Sequence, residues 1–158
     1  MAWLRRHAWW GLLILSLMIV GFGITDIASG PAADVGIPQG LTGRTIEELE
    51  RESADAYRMF DFSVRSNGWN LVILGSLLSV IVLVPFRRGE RWAWWTAWAL
   101  PVWAAVVPIF FRVAGVKPDQ PPPPPMVSGP IIAVLCAAIL LLLRDGRHDG
   151  HPERQRSI

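Results

Sequence analysis

The chain is 158 residues long and 52% hydrophobic, with a formal net charge of +2 and one cysteine. So small a net charge excludes an electrostatic nucleic-acid binder, and a lone cysteine excludes an intrachain disulfide. The apolar residues are gathered into four runs without polar stripes, which excludes a soluble helical bundle.

Those runs are Ala8 to Ile24, Trp69 to Phe86, Trp92 to Phe111 and Met126 to Leu143, and none contains an Asp, Glu, Lys, Arg or His. At a rise of about 1.5 Å per residue, each gives roughly 26–30 Å of helix, the thickness of a bilayer's hydrocarbon. The expected fold is all-α, a four-transmembrane-helix bundle making a single membrane domain over residues 1–158, with a polar tail at 144–158. Met1 to Ile24 also has the basic start, apolar stretch and small following residues of a signal peptide, whose cleavage would leave three spans. Trp3, Trp9, Trp10 and the length of the run favour an uncleaved anchor instead.

After the first span, Thr25 to Gly43 is rich in Gly and Pro and reads as irregular loop. Thr45-Ile46-Glu47-Glu48 then spells a capping box. Ile46, Leu49, Ser53, Ala56, Tyr57, Phe60 and Val64 follow at spacings of three and four, which predicts an amphipathic exterior helix over about Thr45 to Arg65. It leads into the second span through Asn67-Gly68. Two uses suit such a helix: a lid over the mouth of the bundle, or a docking face in which Tyr57, Phe60 and Phe62 meet a partner.

Only Arg87 to Arg91 separates the second and third spans, so these form a tight hairpin with a basic turn. Trp94, Trp95 and Trp98 follow on a face about 100° wide. They read as an interfacial aromatic belt, or as a ligand-binding surface that stacks on a flat hydrophobic molecule such as a quinone or lipid, or on an Arg of the adjacent turn. Pro101 and Pro108 predict bends on one side of the third span. Gly75 with Ser79, and Ala133 with Ala137, are small-xxx-small pairs that predict close helix contacts. The run Pro121 to Pro125 predicts a stiff polyproline strut of about 15 Å before the fourth span.

Residues for chemistry are sparse. Phosphate-loop, nucleophile-elbow, zinc-protease and paired-cysteine spacings are missing from the sequence, and no catalytic residue, metal site or cofactor is expected. His148, Asp149 and His151 read as a solvated tail, and Glu47, Glu48, Glu50 and Glu52 as a solvated helix surface. Asp26 and Arg112 end the first and third spans at similar depth, and would form a boundary ion pair if those helices are neighbours.

Charge orients the spans. With the N-terminus inside, the inner segments hold nine basic against four acidic residues, and the outer segments six against nine. The basic excess belongs on the cytoplasmic side, so both termini are expected inside.

At Leu41-Thr42, Glu47-Glu48-Leu49, Gly68 and Arg87-Arg88-Gly89-Glu90-Arg91-Trp92-Ala93-Trp94, the chain resembles small bacterial four-helix membrane proteins, a broad group that includes DoxX-like proteins. The resemblance covers roughly Leu41 to Trp103. It implies a multi-pass protein of a bacterial cytoplasmic membrane and transfers no catalytic residue; the polyproline loop departs from the group's pattern. The function expected is that of an accessory or scaffold subunit, surrounded by membrane lipid and binding another membrane protein or further copies of itself. The alternatives are a binder or carrier of a hydrophobic small molecule and, behind that, an enzyme acting on lipid or quinone.

Overall fold

A computed structural model describes residues 7–116 and 122–144. Among the described residues the chain is helical without strands: α1 Trp9–Ser29, a 3-10 turn Gly30–Ala33, α2 Gly36–Thr42, α3 Ile46–Glu52, α4 Ala54–Ile81, a π-helical turn Val82–Phe86, α5 Arg91–Ala97, α6 Ala99–Val113 and α7 Pro124–Arg144. Four helical stretches, Trp9–Ala33, Ala54–Phe86, Arg91–Val113 and Pro125–Leu143, are long and apolar enough to cross a membrane. Length and composition thus mark a multi-pass membrane protein.

The region between the first two spans departs from expectation. In place of an irregular loop, α1 runs on to Ser29, and the 3-10 turn and α2 fill most of the rest. Pro31 and Pro38 lie in the first turns of their helices, where a missing N–H costs nothing. The expected exterior helix over 45–65 is divided at Ser53. Thr45 and Glu48 do form the capping box that starts α3, but Ser53 adopts an extended conformation and its hydroxyl accepts from the Ala56 N–H, capping a new helix. That helix does not stop at Asn67-Gly68. It continues as the second span, so residues 54–66 are an extension of the span and not an element of their own.

Gly68 is tolerated there because it is where α1 and α4 touch. A Cβ on Gly68 would lie 2.7 Å from the Gly23 carbonyl oxygen, and one on Gly75 would lie 2.7 Å from that of Ser16. Gly23 is closed in the same way by the Val72 backbone nitrogen, 2.8 Å from the Cβ it would carry. Small residues seven apart on both helices therefore let the two backbones meet, the packing by which helices associate where no water drives them together. In the second pair, α6 against α7, Gly129 meets the Ala104 carbonyl and the Pro108 ring. Gly129 and Cys136, rather than Ala133 and Ala137, make the deep contacts; the two alanines are half-buried.

All four spans share a core toward the Arg87–Arg91 end. Leu12, Val82, Ala93 and Leu140 meet there, and Ile19, Leu78, Leu100 and Cys136 form a second layer. The end that carries α2 and α3 is called the loop end below. The third span is interrupted at Trp98, three residues before Pro101, whose ring cannot donate to the Ala97 carbonyl. Pro85 is similarly placed within the π-helical turn. Gly89, at φ +77°, then closes the hairpin, with the Glu90 N–H donating to the Pro85 carbonyl at 3.1 Å. Of the polyproline run, Pro123 is buried and Pro124 already opens α7, so the strut is shorter than expected; Pro121 and the 145–158 tail lie outside the described residues.

Candidate functional site

The loop-end contact of α1 with α4 gathers the polar groups nearest the apolar spans. Asp26, in the last turn of α1, is 7% exposed, and its Oδ2 accepts from Asn67 Nδ2 at 3.3 Å. Two residues before Asn67, Arg65 donates through Nε to Asp61 Oδ1 at 2.9 Å and through a terminal nitrogen to the Ile27 carbonyl. That carbonyl belongs to the last turn of α1, where oxygens lack helical donors and a cation is favoured. Gly30, at φ +54°, ends the helix against Asp61 and Arg65, where a side chain would collide with both. Farther out, burial and the nearby Asp26 push the Asp34 carboxyl above the usual carboxylate range.

Asp26 and Arg112 do not pair. Asp26 turns to Asn67 because α1 has α4 as its neighbour, whereas Arg112 stands exposed on α6, whose neighbour is α7. The depth of the two residues was legible, but the order of helices around the bundle was not. Among the described residues, no group of three or more His, Cys, Asp or Glu is placed to share a metal ion. Arg65 is engaged by Asp61 and Ile27, so the arrangement can pin the end of α1 to α4; it presents no acid and base facing a common cavity.

At the opposite end, the three tryptophans do not present one face. Trp94 turns inward and donates its indole N–H to the Leu140 carbonyl at 3.0 Å, joining the third span to the fourth. Trp98 stacks edge-on against Trp94, 5.7 Å between centroids, and packs on the shared core. Trp95 is 67% exposed on the outside of the bundle. Trp94 and Trp95 belong to α5, whereas Trp98 lies at the break between α5 and α6. Trp98 Nε1 is buried and, among the described residues, finds no acceptor. The cation–π contact forms elsewhere: the Arg87 guanidinium lies 4.6 Å from the centroid of Trp9, which stacks on Trp10.

Tyr57 and Phe60 are half-buried, while Phe62 is 74% exposed on the other side of α4. Phe62 with Met59, Ser63, Ser66, Asn67 and Asn70 lines a shallow open hollow. The three aromatic residues thus do not form one cluster, since a step of two or five along a helix turns the side chain well away. Met59 and Asn67, which complete the hollow and the Asp26 contact, were readable only as parts of a helix that continued past Arg65.

Comparison with protein-family models, with curated protein sequences and with solved structures finds no match to this chain. Its functional reading rests on the residues themselves.

Proposed function

We propose that the protein is a non-enzymatic accessory or scaffold subunit of a bacterial cytoplasmic membrane, akin to the small four-helix proteins it resembles. Both termini are cytoplasmic, and its helix faces and loop end bind another membrane protein. The observation that carries this reading is how the polar groups of the spans are engaged. Among the described residues the buried polar side chains are Ser16, Asp26 and Ser79. Ser16 donates to the Leu12 carbonyl and Ser79 to the Gly75 carbonyl, each at 2.8 Å within its own helix, and Asp26 is held by Asn67. A relay or ion path needs polar groups that face each other through the hydrocarbon. The two serines face their own backbone and Asp26 faces Asn67 at the loop end, while what the spans offer outward is apolar surface such as Leu17, Ile73, Ile109 and Val134.

Extraction of the full-length protein from its native membrane directly into lipid nanodiscs, followed by mass spectrometry, tests the reading. A different protein retained in fixed stoichiometry is expected. Transport activity by the purified protein alone in liposomes would overturn it.

One observation favours a second reading, the binder of a hydrophobic small molecule. A buried indole N–H without an acceptor costs about 1–3 kcal/mol, and a quinone or ester carbonyl seated beside Trp98 would supply the acceptor. Quinones and lipids screened by thermal stability should then raise the melting temperature of the native protein and not that of Trp98→Phe. Equal shifts in both proteins, or none in either, would remove this reading.

A further inference from the structure

Ion pairs are confined to one end of the bundle. Among the described residues all of them lie at the loop end, where Arg44 meets Glu52, Arg58 meets Asp55 and Arg65 meets Asp61. At the hairpin end Arg87, Arg88 and Arg91 are exposed, and none meets a carboxylate among the described residues. The acid of that turn is engaged elsewhere, because the Glu90 carboxylate accepts from the Trp92 indole N–H. Three guanidinium groups within five residues thus carry charge that the turn itself does not pair.

The spans set what surrounds these groups. The second span ends at Phe86, the third begins at Arg91 and the first begins at Trp9. The turn and the Trp9 ring therefore stand together where hydrocarbon gives way to headgroups. Arg87 lies 4.6 Å from the centroid of Trp9, and Trp9 stacks on Trp10 at 4.4 Å. A guanidinium held over an indole uses its face for that contact. Its N–H groups lie in the plane of the fork and remain open to two oxygens of one phosphate. The ring fixes the cation and leaves its donors to a ligand.

An apolar path leads away from this point. Trp10, Ile14, Leu17 and Gly21 follow at spacings of four, three and four, and all are exposed, so one stripe runs down the outside of α1. Nothing lies within 4 Å of the position a Cβ would take on Gly21, so the stripe is unobstructed to that depth. A ligand that fits has a phosphate at the level of the turn and a hydrocarbon chain below it. That is a phospholipid, the solvent in which these spans already stand. Charge then selects the kind. A zwitterionic headgroup brings its own ammonium and offsets none of the three arginines, whereas an anionic headgroup does.

We propose that the hairpin end binds an anionic glycerophospholipid. Its phosphate sits on the N–H edge of Arg87, with Arg88 and Arg91 beside it, and an acyl chain lies along Trp10, Ile14 and Leu17. The proposal needs only the membrane placement of the spans and stands whether or not the protein is a scaffold. Full-length protein in nanodiscs of equal phosphatidylglycerol and phosphatidylcholine, analysed by native mass spectrometry, tests it through the lipids that stay bound. Phosphatidylglycerol should be kept over phosphatidylcholine by about tenfold, and Arg87→Gln and Arg88→Gln should each lower that preference about fivefold. Arg112→Gln removes the same charge from an exposed arginine at the loop end and should change nothing. Trp9→Leu keeps every arginine but frees Arg87 from its ring, and should also lower the preference. Equal retention of the two lipids by the native chain would overturn the proposal, as would equal losses in Arg87→Gln and Arg112→Gln. An unchanged preference in Trp9→Leu would overturn the placement on Arg87. Displacement of the lipid by millimolar inorganic phosphate would also overturn the proposal, since the ion alone would then be the ligand.

Discussion

A methyl group added at Gly68 would meet the Gly23 carbonyl oxygen and the Asp26 and Ile27 side chains, all at 2.7–2.9 Å. Two of these neighbours are stiff, because the first is backbone and Asp26 is held by Asn67. Gly68→Ala should therefore force α1 and α4 apart and destabilise the folded protein by about 1–3 kcal/mol, a cost typical of overpacking. Gly21, with nothing within 4 Å of the position its Cβ would take, is the matched control. Gly21→Ala should leave the melting temperature unchanged or raise it slightly, since alanine is the better helix former. Equal losses at both positions would show that the penalty is not one of contact. The residue scale also contains a pH response. The Asp34 carboxyl is raised by burial and by Asp26, so the folded state holds its proton to higher pH than the unfolded state does. The favourable contribution is present at low pH and is lost as pH rises from the ordinary carboxylate value through the raised one. Asp34→Asn should flatten the dependence of unfolding on pH in that acidic interval, measured in a detergent of constant charge. An unchanged slope would assign it to another carboxylate.

Capping residues set the elements of the outer segment, and their reach was only partly legible. Thr45 and Glu48 announce α3 because a capping box is a local motif, complete within four residues. Ser53 announces nothing comparable, because the apolar spacing of three and four passes through it unchanged; only its extended backbone and its bond to Ala56 reveal a new start. Loss of the Thr45 hydroxyl should accordingly act on α3 alone. Thr45→Ala is expected to weaken that helix by about 1 kcal/mol, seen as faster amide exchange over 46–52 with no change across the spans. Exchange that quickens in α4 as well would mean that the two helices form as one unit. The prolines show the same limit from the other side. Their cost in a helix interior is general, but Pro31, Pro38 and Pro124 occupy first turns where no N–H is required. Sequence position therefore marked loops where the chain is helical, whereas at Pro101, well inside the third span, the expected interruption is found.

At the scale of the molecule, the four spans were legible because a run of 17 or more apolar residues has few other uses. The order of spans around the bundle was not, because lipid-facing and protein-facing positions are both apolar. Contact falls to the small residues that permit close approach: Gly23 with Gly68 in one pair, Gly129 with Ala104 in the other. The two pairs then join toward the basic end through the shared core layers. That end fixes the expected orientation. Arg87 lies over Trp9, so the start of the first span and the end of the second stand together at one face of the bundle. The basic hairpin turn beside them is the reason this face is proposed to be the cytoplasmic one. The opposite end carries Arg44 with Glu52 and the Asp61–Arg65 pair, so its basic residues are offset and retain less bias toward the inside. In intact cells, Glu52→Cys should react with a membrane-impermeant maleimide, while Arg88→Cys should react only after the membrane is opened. Both positions are exposed, so a failure to label reflects the side of the membrane and not burial. Labelling at Arg88→Cys in intact cells, with Glu52→Cys protected, would invert the molecule and place the end that carries α2 and α3 on the cytoplasmic side.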